Sequence, residues 1–164
     1  MQNGDRAQVE ALIAADVRAL SAASDGIGQS FAALHGLTAS DFRALLHVTV
    51  AEDDGAPLTA GELRARMGTS GAAITYLVER MIESGHVLRD TDPTDRRKVM
   101  LRVADHGMAV ARDFFSPLSA HTHAALADLP DEDLLAAHRV FAALTAAMVS
   151  FGAELGSGRL KTDD

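Results

Sequence analysis

Residues 58–85 read LTAGELRARMGTSGAAITYLVERMIESG, and this stretch decides the fold. Thr59 is followed three positions later by Glu62, the spacing at which a hydroxyl and a carboxylate each bond the other residue's backbone N–H, so a short helix starts here. It buries Leu63 and Met67, and Gly68 stops it. Thr69 and Ser70 can each accept a backbone N–H as the cap of a second helix, whose apolar face is Ile74, Leu77, Val78 and Met81. Gly85 closes that helix in the left-handed conformation that glycine tolerates. Two short helices joined by a tight glycine-containing turn form a helix-turn-helix, in which the second helix enters the DNA major groove. With its apolar face inward, Ser70, Ala72, Thr75, Tyr76 and, a turn later, Arg80 look outward, and Thr69 and Gly71 flank the helix start. Small side chains let the backbone approach a groove. Hydroxyls bond phosphates or base edges, and Arg80 reaches a phosphate or a guanine.

The next segment, HVLRDTDPTDRRKVMLRV (residues 86–103), holds two strand-like runs, 87–90 and 98–103, around the turn-rich Asp92-Pro93-Thr94-Asp95. A hairpin with a basic shoulder follows. Arg96, Arg97 and Lys98 at its end suit a narrow minor groove, whose negative potential favours arginine. Asp95 is repelled by phosphate unless it pairs, and an arginine held by a neighbouring carboxylate is aimed in advance. Residues 58–103 therefore predict a winged helix-turn-helix.

Charge restricts where a duplex could bind. The chain of 164 residues has a net charge of −8, yet residues 61–102 carry eight basic and six acidic side chains while both flanks are acidic. Attraction to phosphate is confined to the middle. The absence of cysteine excludes disulfides, thiolate chemistry and Cys-ligated zinc. His121 and His123 with His138 invite a metal, but residues i and i+2 of a helix point apart, so no metal or cofactor is expected. No nucleophile elbow, phosphate loop or paired carboxylates accompany the Ser, His and Asp residues, so no enzyme is expected.

The flanks read as helices. From residue 5 to 34, Ile13, Val17, Leu20, Ser24, Ile27, Phe31 and Leu34 follow spacings of four and three, with Gly26 and Gly28 as points of weakness. A second helix, capped by Thr38 or Ser40, runs through Phe42, Leu45, Leu46 and Val50. A long helix begins near Asp105, and Pro117 within it predicts a kink or break. Pro130-Asp131-Glu132 opens a last helix over 131–151, followed by a flexible tail, 152–164. The expectation is one domain over 1–164, mainly α with a small β-hairpin wing. With no signal pattern and no uninterrupted apolar run of bilayer length, it is expected to be cytoplasmic and to have no membrane partner.

The recognition helix ending ESGHVLRD, then DPTDRRKVMLRV followed by ADHG, resembles the MarR family of bacterial transcription regulators. The resemblance implies double-stranded DNA as partner, with Arg97 in the minor groove and Asp95 orienting it, Arg96 being the variable position between them. It implies a homodimer built from helices 5–34 and 131–151, on a pseudo-palindromic site. It also implies a repressor released by a small-molecule effector, with Phe31, His35, Phe42 and His47 near the pocket. The competing expectation is a winged-helix module that docks a protein with the same surface.

Overall fold

The structure, a computed structural model, describes residues 3–92, 95 and 97–156. The chain forms two compact units, Met1–Ser116 and Pro117–Asp164. In chain order the elements are α1 (Asn3–Leu34), α2 (Ala39–Asp53), β1 (Leu58–Thr59), α3 (Ala60–Met67), α4 (Gly71–Glu83), β2 (Val87–Thr91), β3 (Val99–Val103), α5 (Asp105–Leu126) and α6 (Asp131–Gly156). The architecture is mainly α with a small antiparallel sheet, as the sequence indicates.

In the first unit α2 is the centre. Its residues Leu45 and Val48 are fully buried against Leu63 of α3, the inner face of α4, and Leu58, Val87 and Leu101 of the sheet. The start of α2 is fixed by Thr38, whose side chain accepts from the Asp41 N–H while the Asp41 carboxylate accepts from the Thr38 N–H at 3.1 Å. Thr38, not Ser40, is thus the cap. The helix α1 runs unbroken through Gly26 and Gly28. At Gly28 the missing side chain admits Phe42, since a Cβ there would stand 3.3 Å from its ring. That glycine serves close packing of α1 on α2.

The sheet has the order β1-β3-β2, antiparallel throughout, with Leu101 of β3 paired to Leu58 on one side and Arg89 on the other. The β2–β3 hairpin is the wing. Its base is pinned to α2 by Glu52, which accepts the Val103 N–H at 2.8 Å and faces Arg102 at 3.5 Å. The start of α5 packs directly on the strand entry. A Cβ at Gly107 would lie 2.0 Å from the His86 carbonyl oxygen, which also accepts the Ala104 N–H at 3.0 Å.

Pro117 does not end α5, which remains helical from Asp105 to Leu126, although the division between the two units falls at this residue. A proline removes one backbone donor and leaves neighbouring turns able to continue. In the second unit the Pro130 carbonyl accepts from Asp133 and Leu134 and so opens α6, with Asp131, Glu132 and Asp133 at the positive end of the helix dipole. The helix continues through Gly156, so residues 152–156, read as tail, are helical, and 157–164 lie outside the described residues. None of its residues is buried, and Phe141, Met148, Val149 and Leu155 are more than half exposed. By length and composition alone α6 suffices to cross a membrane, with a mean hydropathy of 1.6 over its most apolar window, although His138 and Arg139 interrupt its apolar run.

Candidate nucleic-acid interface

Local bonds set the two helices of the turn. The Thr59 N–H donates to Glu62 Oε2 at 2.7 Å and the Glu62 N–H returns to Thr59 Oγ1 at 3.2 Å, closing the box that starts α3. These bonds from the Thr59 backbone and hydroxyl hold the Glu62 carboxyl below its ordinary pKa. Gly68 ends α3 at φ +62, where a side chain is strained. Ser70 caps α4, its hydroxyl accepting the Ala73 N–H at 3.3 Å. Ile74, Leu77, Val78 and Met81 are all buried, which fixes the rotation of α4. Ser70, Gly71, Ala72, Thr75 and Tyr76 are consequently exposed, Tyr76 to 68%. Thr75 donates its hydroxyl proton to the Gly71 carbonyl at 2.9 Å and keeps its lone pairs outward as acceptors.

Arg80 is also engaged within the protein. Its Nη2 donates to the buried Asp41 carboxylate, its guanidinium carbon lies 5.1 Å from the Tyr76 ring centre, and its Nε–H is buried without a partner. Burial disfavours the Asp41 charge, but bonds from Arg80 and Thr38 outweigh it and hold that carboxyl below its ordinary range. Arg80 therefore ties α4 to the start of α2 and, through the ring contact, steadies Tyr76.

In the wing, the Asp95 carboxylate accepts the Arg97 backbone N–H at 3.0 Å, and the Asp95 carbonyl accepts the Lys98 N–H at 2.9 Å. The acid thus shapes the peptide that carries Arg97. Arg97 and Lys98 are exposed, while Arg96 lies outside the described residues. Arg89 joins the wing to α4 by donating to both oxygens of Glu79, at 2.6 and 3.4 Å.

Ion pairing separates the described cations of residues 39–103 into two groups. Arg80, Arg89 and Arg102 are taken up by carboxylates. Arg43, Arg64, Arg66, Arg97 and Lys98 are exposed and form no ion pair among the described residues. Arg64 lies at the mouth of α4, with Nη1 3.8 Å from where a Gly71 Cβ would be. Sequence reasoning passed over Arg43, Arg64 and Arg66. The two on α3 belong to the net-positive stretch and were legible there, whereas Arg43 is hidden by the acidic segment around it.

The expected pocket residues divide. Phe31 stacks on His35 at 4.2 Å between ring centres and meets Phe42 at 5.2 Å. Phe114 completes this group at 5.0 Å from Phe31 and 4.9 Å from Phe42, a contribution of α5 that the α1–α2 reading omitted. His47 stands apart from these ring contacts. Burial, and then the charges of Arg66 and Arg43, push its pKa down. Among the described residues no group of three or more His, Asp or Glu is placed to hold a metal ion.

The turn, its capped recognition helix and the hairpin define a winged helix-turn-helix of the kind found in transcription regulators. The sequence profile of the MarR family matches residues 35–98. The chain is 35% identical over 82 residues to the uncharacterised HTH-type transcriptional regulator YcgE of Bacillus subtilis, a match covering 50% of this chain and 53% of that protein. It therefore spans about half the length of that curated relative. A MarR family protein from Bacillus stearothermophilus shares the fold at TM-score 0.65 and 24% identity, over 91% of this chain and 99% of that one. A variant of MepR from S. aureus, bound to an oligodeoxyribonucleotide, does so at TM-score 0.52 and 16% identity, over 85% and 96% of the two chains.

Proposed function

We propose that the protein is a sequence-specific regulator that binds double-stranded DNA as a homodimer, with α4 in the major groove and the wing in the flanking minor groove. The observation that carries this is the outward face of α4. Four buried residues fix its rotation, so that Thr75 and Tyr76 stand exposed beside a wing ending in Arg97 and Lys98. Small and hydroxyl-bearing side chains there suit base-edge and phosphate contacts. The oligodeoxyribonucleotide bound by MepR supports DNA over a protein partner for this fold.

Homodimerisation accounts for the apolar surfaces of α1 and α6. Leu12, Leu20 and Ile27 of α1 are about half exposed, and α6 buries nothing within its own chain. A second copy would cover both without lipid, consistent with a cytoplasmic protein. The Phe31, His35, Phe42 and Phe114 group is the site at which a small aromatic effector would act. Such an effector must prefer one spacing of the two recognition helices in order to release DNA and relieve repression.

Polarisation of a labelled duplex drawn from a random pool by the protein tests this reading. Arg97→Ala should weaken binding and lower its salt dependence, because a cation near phosphate is lost. Unaltered affinity and slope contradict the wing assignment.

A further inference from the structure

Between the start of α2, the α3–α4 turn and the outer side of α4 lies a notch of about 310 Å³, to which Ser40, Arg43, Thr69, Tyr76 and Arg80 contribute. Resting on the reading of function above, we infer that this notch seats a backbone phosphate of the bound duplex, and that Arg43 and Ser40 of α2 are DNA-contacting residues in addition to those of α4 and the wing.

The chemistry of the lining favours a phosphodiester. Arg43 is exposed and unpaired among the described residues, so its full charge faces solvent. Arg80 has one nitrogen committed to Asp41 and retains a buried Nε–H without an acceptor. Hydroxyls of Ser40 and Thr69, both well exposed or half-exposed, add donors that turn to suit an anionic oxygen. The lining thus supplies two guanidinium groups and several hydroxyls. Asp41, the acid bonded to Arg80, is buried and its charge is matched by that arginine.

Position selects the duplex over a free anion. Thr69 and Tyr76 belong both to the notch and to the surface offered to the groove, so whatever fills the notch lies at the edge of a duplex seated on α4. A strand running past the recognition helix carries its phosphates along that edge, and such contacts set the register of a helix in the groove without reading sequence. The contact extends the DNA surface from the net-positive stretch onto α2, whose surrounding segment is acidic.

The test is a salt titration of binding to a duplex enriched from a random pool by the wild-type protein, read by polarisation. Arg43→Ala should weaken affinity roughly tenfold at moderate salt and lower the slope of log affinity against log salt by about one, with the selected sequence unchanged. Arg43→Lys should keep the slope, and Arg112→Ala, which removes an equal charge from the exposed side of α5, should leave both values alone. Should Arg43→Ala melt early, Ser40→Asp puts a negative charge at the same mouth and should weaken binding further. Wild-type affinity and slope in a folded Arg43→Ala or Ser40→Asp protein overturn the inference alone. A wild-type protein that enriches no duplex overturns the reading of function and this inference with it. Inorganic phosphate that raises the melting temperature of the wild type but not of Arg43→Ala, with no change in the DNA slope, assigns the notch to a small anion and also overturns it.

Discussion

The carboxylate of Asp41 performs two tasks: it caps α2 by accepting from Thr38, and it accepts from Arg80 of the recognition helix, 39 residues along the chain. The helix proposed to enter the groove is thereby tied to the first turn of the central helix. Asp41→Ala removes the carboxylate half of the capping box and leaves Arg80 without its partner, and a loss of about 2–3 kcal/mol in urea unfolding is expected. Because the Asp41 carboxyl titrates below its ordinary 3.8, its contribution is complete above that value and is lost as pH falls through the lower folded-state value. The variant's acid unfolding should lack that part of the pH dependence.

Gly107 is required by its neighbour's backbone. An alanine Cβ would meet the His86 carbonyl oxygen at 2.0 Å, a contact that only backbone movement relieves. Gly107→Ala should cost about 3 kcal/mol in the same unfolding experiment. Its wing-dependent DNA affinity should fall as well, since the joint lies at the entry to β2.

His86 makes stability sensitive to mild acid. Its ring is buried, its Nδ1 meets Ser84 Oγ at 2.8 Å, its Nε2 has no partner, and His106 lies 4.5 Å away between ring centres. Burial and then His106 lower its pKa from 6.5, with His35 acting in the same direction and Asp41 opposing them. The unfolded chain therefore takes up this proton first. The stabilisation is complete above about pH 6.5 and falls with pH towards the lower folded-state value. Melting temperature should drop between pH 7.5 and 5.5 in the wild type, and less steeply in His86→Gln.

The Glu79–Arg89 pair, although bidentate, is exposed on both sides at 48% and 44%. Water and salt screen such a pair, so Glu79→Ala should alter stability by less than about 1 kcal/mol. A larger loss in thermal unfolding would mean that the pair does more than link the wing to α4.

What could be read from sequence was the short-range chemistry. The box at Thr59 and Glu62, the stop at Gly68 and the inward face from Ile74 to Met81 depend on residues within one or two turns of each other, and all stand where periodicity and capping place them. β1 was not legible, because two residues have no alternation and Leu58 becomes a strand only by pairing with Leu101. Gly28 looked like a weak point in α1 because its partner, Phe42, lies on another helix. The tie from Arg80 to Asp41 was hidden for the same reason, as Asp41 is distant in the chain. Arg43 was obscured by averaging charge over an acidic segment. Each miss involved a contact, or a surface, that only the tertiary structure assembles.

The central claim is that two copies of α4 read one duplex. Selection of bound sequences from a random double-stranded pool tests it most directly. The account predicts an inverted repeat whose half-site centres lie roughly one helical turn, about 10 base pairs, apart. Recovery of no enriched sequence, or of a lone half-site without its inverted partner, would contradict it.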